Sequence, residues 1–394
     1  MRRTRYLKSG VLLSCNLDTN KIKGNNLQIS FLPWGGFKKN IKLGPVTFWP
    51  YHVEANQKIS DPAIKRHLDN YFKSYVDYQG RPVDTITVCT HGNVDFRSLN
   101  DSEYSDLRNA VDILICGAIE PNVKRAVCAN NRSWGPPSTD VFELVTQNFH
   151  PGNDYIAVKA GSLHSGGWKI GEITFPKPWA TGGSLWSFEK ELIEGFDRCF
   201  LNRVSVDFRE RLFRSLEWFR LAHIEGGQVS ELSKVVMMAT GFEILLQFPR
   251  EGKRKHFVDY MEKYISSDDF HKDSRTNNKG RTFTFSVAGC WAWDFYELRN
   301  HIVHGDSIPL KGLIYRDWIT HLIVADLVFL ECVKRALFDQ KCIGNNVRSC
   351  AGEFDKTKEP NNESIEPLAR WFLGFNDVHR ALGWIPKRRA PNSS

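Results

Sequence analysis

Between residues 297 and 306 the chain reads Glu-Leu-Arg-Asn-His-Ile-Val-His-Gly-Asp, a crowd of polar groups closing an otherwise apolar stretch. Arg299 offers a planar fork of donors suited to a phosphate. His304 places an imidazole at the negative end of a helix macrodipole, where it can take and return protons near neutral pH. Imidazole plus guanidinium is enough to make RNA cut itself. The base removes the 2′-hydroxyl proton, the oxygen attacks the adjacent phosphate, and the cation stabilises charge on the phosphoryl oxygens. This route needs no metal ion or cofactor, and DNA lacks the nucleophile.

The spacing sets a geometric condition. Asn300 and His304 are four apart and share a helix face, and His301 lies beside His304 at three. Arg299 and His304 are five apart, about 140° around an ideal helix. They converge on one ligand only if the helix frays at Gly305 or if a partner helix completes the site.

Positioning these groups requires a helix over residues 288–304, with Trp291, Phe295, Leu298 and Ile302 on its apolar side and Gly305 as a C-terminal stop. From residue 183 onward the apolar period is about 3.6. It predicts helices over 185–200, 206–225, 230–248, 255–265 and 316–338, with a polar loop over 266–280. Leu232, Val235, Ala239, Phe242 and Leu246 form the stripe of the clearest one, and Val229-Ser230-Glu231 starts it. Consecutive amphipathic helices of this length describe a bundle.

Before residue 185 short β-like runs alternate with turn signals. They include residues 27–31, 85–89, 112–116 and 155–159, with a helix near 61–75 and a first strand at Val11-Leu12-Leu13. Thr90-His91-Gly92-Asn93 and Gly161-Ser162-Leu163-His164-Ser165 read as turns, because neither has the strand–turn–helix setting of a catalytic nucleophile. The predicted fold class is α+β: a β-rich domain over 1–185, a helical bundle over 186–345, then a linker, a short helix over 368–382 and a basic tail over 346–394.

The pattern Leu298-Arg299-Asn300 followed by His304-Gly305 resembles the signature of HEPN ribonuclease domains, in particular their Apea-like branch. Ala239-Thr240-Gly241-Phe242-Glu243-Ile244-Leu245-Leu246 resembles the Glu-bearing apolar helix that precedes the motif in that branch. The likeness covers roughly residues 200–340, helix order included, and does not reach the N-terminal half. It implies a HEPN-like bundle and a homodimer in which two motif helices pool their His and Arg side chains. Arg299 and His304 would then be catalytic, with Asn300 orienting them. Glu243 would be a supporting carboxylate pairing with Arg299, and His301 stands at a variable position. The branch is associated with bacterial abortive-infection defence. That implies a toxin-like endoribonuclease restrained by a regulatory protein partner or released by a phage-derived trigger.

Competing readings of the same residues stay open. Arg299, Asn300 and His304 can cap a helix end and satisfy one another, and Glu243 can form a structural ion pair. The bundle can also hold RNA or a nucleotide without turnover, or serve only for dimerisation. Lys253, Arg254 and Lys255 fit a solvated helix start and a phosphate-tracking patch equally well. His301 and His304 have no Cys or acidic pair at zinc-like spacing beside them, so no metal is expected.

Composition narrows the class. With 12% aromatics and 41% hydrophobic residues, the 394-residue chain is long and apolar enough for two cores, and the disordered class is excluded. The net charge of +8 favours polyanionic partners such as RNA. Nine cysteines scattered singly fit reduced thiols and a cytoplasmic protein, and no apolar run approaches a membrane span.

Overall fold

The computed structural model describes residues 27–56, 58–92, 96–129, 139–160, 164–178, 188, 190–201, 204–225, 229–266, 271–343 and 381–384. The strand expected at residues 11–13, the linker, the basic tail and the helix expected over 368–382 up to residue 380 lie outside them. The chain is mixed α and β, with a sheet first and helices after it. It divides into two compact units, one comprising Met1–Ile115, Ser138–Ala180 and Ile224–Gln228, the other Cys116–Pro137, Thr181–His223 and Val229–Ser394.

In the first unit, β1 (Leu27–Leu32), β2 (Ile41–Leu43) and β3 (Val46–His52) precede helix α1 (Pro62–Phe72) and the short β4 (Tyr75–Val76). Then come β5 (Thr85–His91), helix α2 (Asp101–Cys128), whose residues from Cys116 on belong to the second unit, β6 (Val145–Phe149), β7 (Tyr155–Ala160), β8 (His164–Lys169) and β9 (Phe175–Pro176). Five strands form one antiparallel sheet in the order β2-β3-β5-β1-β6. Helix α1 starts where Asp61 accepts the amides of Ala63 and Ile64 and Pro62 fixes the first turn. It delivers Tyr71 and Phe72 to the buried ring of Phe31, with centroids 5.8 and 5.0 Å away.

The run at 112–116 corrects the strand expectation: it lies inside α2. Residues 110–120 are buried without a break, so no polar face interrupts them. A short apolar run of Ile, Leu and Val carries no period that separates a buried helix from a strand.

The second unit contains α3 (Lys190–Phe200), α4 (Val206–Leu221), α5 (Glu231–Leu245) and α6 (Lys253–Tyr260), the last continuing as a π turn over Met261–Ile265. A hairpin of β10 (Lys272–Thr276) and β11 (Thr282–Ser286) follows, then α7 (Val287–His304), β12 (Ile314–Arg316), β13 (Ile319–Thr320) and α8 (His321–Asp339). The hairpin replaces the loop expected over 266–280, and the helix expected from 316 begins only at His321, after β13. Ser205, Ser230, Ser286 and Thr320 each accept an amide of the first turn they cap.

Helix α5 packs against α4, α7 and α8. Gly241 allows the approach of α4, since a Cβ there would stand 3.4 Å from the Ser215 carbonyl oxygen and 3.2 Å from the Phe329 ring. Around it Phe242 meets Phe257, Phe295 and Phe329 at centroid distances of 4.8, 6.1 and 5.3 Å. Of the stripe, Val235, Ala239 and Phe242 are buried, while Leu232 and Leu246 are half-buried.

His321, at the first position of α8, carries a consequence for stability. Burial pushes its imidazole down from 6.5 to about 4, against the nearby Asp294 charge. Its folded pKa is depressed, so the native state excludes a proton that the unfolded chain takes up. Stability is full above pH 6.5 and drains as pH falls toward 4, by up to about 3 kcal/mol. Urea unfolding of His321→Phe is expected to show a shallower acid loss than wild type in that window. Parallel pH profiles for the two proteins would refute the assignment.

Candidate functional site

Helix α7 is fixed at both ends. At its start Ser286 Oγ accepts the Gly289 amide at 3.0 Å, while Glu262 Oε1 accepts the Ser286 amide at 3.0 Å and its hydroxyl at 2.6 Å. At its end Gly305 takes φ 80°, the left-handed conformation anticipated for a terminal glycine. The Asp306 amide donates to the His301 carbonyl at 2.9 Å and the Gly305 amide to that of Ile302 at 3.1 Å. A Cβ at Gly305 would meet nothing within 4 Å, so an alanine there suffers only the backbone penalty. Gly305→Ala is expected to destabilise the protein by about 1–2 kcal/mol in urea unfolding, and Gly305→Asn by much less. Equal stability of the alanine variant and wild type would count against this.

Between these ends Glu243 of α5 is a hub. Its Oε1 accepts the Tyr296 hydroxyl at 2.6 Å and stands 3.4 Å from Arg299 Nη2, and its Oε2 accepts Lys253 Nζ at 2.5 Å. Arg299 Nη1 donates to Asn300 Oδ1 at 3.3 Å, and its guanidinium lies 5.5 Å from the Tyr296 ring centre. The Arg299 Nε is buried with no hydrogen-bond partner among the described residues. Burial, and then the hydrogen bond to Glu243, holds the Tyr296 hydroxyl well above the usual phenol range, so it stays a donor. One carboxylate therefore faces two cations, which leaves this seam with a net positive charge suited to an anion.

Glu243, Arg299, Asn300 and Lys253 come together here. His304 does not join them: it is exposed and makes no hydrogen bond or ion pair among the described residues. His301 is half in solvent, and its Nδ1 lies 2.6 Å from Asp306 Oδ2, with Nε2 4.0 Å from Glu297 Oε1. The carboxylate that orients a ring at this helix end thus serves His301 rather than His304. Arg254 pairs with Glu297 and stacks over the Trp293 ring at 3.9 Å. Lys255 points away, 83% exposed, with Asp259 at 3.0 Å. Two of the three cations of the basic run therefore brace α6 against acids of α5 and α7.

Sequence reasoning missed Tyr296, Glu297 and the partnership of Asp306. The four-residue step from Glu297 to His301 was open to reading. Asp306 reaches His301 only because Gly305 reverses the chain. The first unit holds another unread cluster. His91, at the end of β5, lies 3.1 Å from Asp106 and 3.7 Å from Glu103. Hydrogen bonding from Arg97, foremost, brings the half-buried Glu103 carboxyl down to about 2. Of the turn expected over residues 90–93, Thr90 and His91 belong to β5, Gly92 follows at φ 73°, and Asn93 lies outside the described residues.

Among the described residues, no three His, Cys, Asp or Glu side chains form a group that could hold a metal ion. None of the described helices is long and apolar enough to cross a membrane. No family model matches the chain, and no curated protein or solved structure does either.

Proposed function

We propose that the chain is a metal-independent endoribonuclease of the HEPN type, acting as a homodimer with a composite active site. The observation that carries this reading is the division of the motif. Arg299 is held half-buried by Glu243 and Asn300, while His304, at the end of the same helix, is exposed and has no hydrogen bond or ion pair among the described residues. An arginine and an imidazole on different sides of one helix become a working pair when a second α7 supplies the complement. Apolar side chains in the last turn of the helix and after it favour such burial: Val303 is 52%, Leu310 82% and Ile314 45% exposed.

In the reaction an imidazole removes the 2′-hydroxyl proton, and the 2′-oxygen bonds to phosphorus. The bond from phosphorus to the 5′-oxygen breaks, and an imidazolium returns a proton to that oxygen. The two Arg299 side chains stabilise the phosphoryl oxygens as charge collects there. The products are a 2′,3′-cyclic phosphate and a 5′-hydroxyl. Such an enzyme fits a toxin-like effector in bacterial antiviral defence, acting in the cytoplasm. Its restraint would come from a regulatory protein or a phage-derived trigger, sensed by the first unit.

The test is incubation of purified protein with RNA in EDTA, with the product ends identified chemically. Cyclic phosphate ends are expected. RNA bound but left intact would instead select the non-catalytic binding module, and 3′-hydroxyl ends would refute the mechanism.

A further inference from the structure

The hairpin of β10 and β11 has a composition that core packing does not explain. Over residues 272–285 it carries four cations, Lys272, Arg275, Lys279 and Arg281, against one carboxylate, Asp273. Nearly all of it is exposed. Phe283 and Phe285 alternate along β11, so they stand on one face of the strand, and Arg281 immediately precedes it. The Phe283 and Phe285 rings are nearly parallel, 7° apart in plane. Both lie against Trp293 of α7, at 5.8 and 5.9 Å, and Arg254 covers that indole at 3.9 Å. Phe283 is nevertheless 38% exposed. The outer ring of a four-part stack is therefore open to solvent.

The platform is rigidly mounted. Arg275 grips Asp294 with two hydrogen bonds of 2.7 Å and Asp273 with one of 2.8 Å, which ties the hairpin to α7. At the tip Asn277 Oδ1 accepts the amides of Lys279 and Arg281 at 3.0 Å each, and Gly280 at φ 73° closes the turn. Lys279 and Arg281 have no ion-pair partner among the described residues. Trp293, Glu297 and His301 succeed one another at four-residue steps on one face of α7. About 16 Å of helix separates Trp293 from the helix end at His304.

We propose that this hairpin is a base-stacking platform for single-stranded nucleic acid. An unpaired base lies on Phe283, and Lys279 and Arg281 hold the phosphates on either side of it. An exposed aromatic ring flanked by free cations on a polar hairpin is the arrangement that stacks a base and follows a backbone. A protein partner would require a wider apolar patch. A duplex keeps its bases stacked on each other and offers none to Phe283. The role in presenting substrate to the end of α7 rests on the ribonuclease reading, but the platform itself does not.

The probe is therefore a short fluorescent oligodeoxynucleotide, which lacks the 2′-hydroxyl and stays intact, titrated with the full chain alongside RNA and duplex of the same sequence. Phe283→Ala is expected to weaken binding of both single strands about ten-fold, while Phe283→Tyr keeps the affinity. Lys279→Ser with Arg281→Ser is expected to reduce the slope of log affinity against log salt by about 1.4. Duplex is expected to bind more weakly than either strand. Absence of single-strand binding, or equal affinity of Phe283→Ala and wild type, overturns the platform. Phe283-dependent binding without RNA cleavage leaves the platform standing and sinks the ribonuclease. Cleavage by Phe283→Ala with unchanged KM does the reverse.

Discussion

His304→Ala and Arg299→Ala are each expected to lower RNA cleavage by about two to four orders of magnitude, with the fold intact. His304 is exposed and makes no hydrogen bond or ion pair among the described residues, so its removal leaves no buried group stranded. Thermal unfolding of that variant should match wild type. Arg299 differs, because Glu243 loses one of two cations when it goes. Arg299→Lys keeps the charge but gives up the planar fork, and should recover stability without recovering the rate. The composite site adds a sharper test. Mixing the His304→Ala and Arg299→Ala proteins lets dimers form that retain one Arg299 and one His304. Such mixtures are expected to regain activity that neither parent shows. Equal cleavage by wild type and the single variants would falsify the catalytic assignment, and mixtures as silent as their parents would argue against a shared site.

Lys334→Met is expected to cost about 3–5 kcal/mol in urea unfolding, the largest stability effect in the molecule. In the second unit, Glu120 and Lys124 from the end of α2 meet Glu331 and Lys334 of α8, and all four are at most 9% exposed. Glu120 Oε1 accepts both ammonium groups, that of Lys124 at 2.5 Å, and Glu331 Oε1 lies 3.4 Å from Lys334 and 3.9 Å from Lys124. Among the described residues two cations balance two anions, and deleting one cation leaves a net buried charge far from water. Burial already pushes the Glu331 carboxyl above the usual range, and Lys334 opposes it. Without Lys334 the folded protein holds a proton that the unfolded chain releases. The deficit of the variant should therefore shrink as pH falls toward about 7, the value to which Glu331 is already pushed in the wild type. The charge-balanced Glu331→Met, Lys334→Met double variant should lie closer to wild type than the single one. A loss under about 1 kcal/mol for Lys334→Met, or a deficit that grows on acidification, would contradict this account.

How much of this was legible in the sequence depended on whether a signal is local. Ser230 and Ser286 start helices by bonding amides three residues away, and Gly305 stops one through its own φ. Such features lie within a few residues of chain and are visible in a string. The period of α5 and α7 was readable for the same reason, since one face packs inward and the other does not. Arg299, Asn300 and the two histidines were singled out by spacing alone, and the charge excess toward polyanions by counting.

The tertiary structure decided what distant segments do to one another. Residues 112–116 lie in a helix, and burial on all sides leaves no periodicity in the string to separate that helix from a strand. The hairpin over 272–286 formed because Arg275 found Asp294 and the β11 phenylalanines found Trp293, contacts that a polar, loop-like composition conceals. The amphipathic pattern promised Glu243 a place near α7, but only packing set Tyr296, Lys253 and Arg299 around it. Only the turn at Gly305 gave Asp306 to His301. Sequence thus determined which groups could do chemistry and where the motif helix starts and stops. Three-dimensional packing decided which of those groups meet, because ion pairs and ring stacks depend on distances of a few ångströms between residues far apart in the chain.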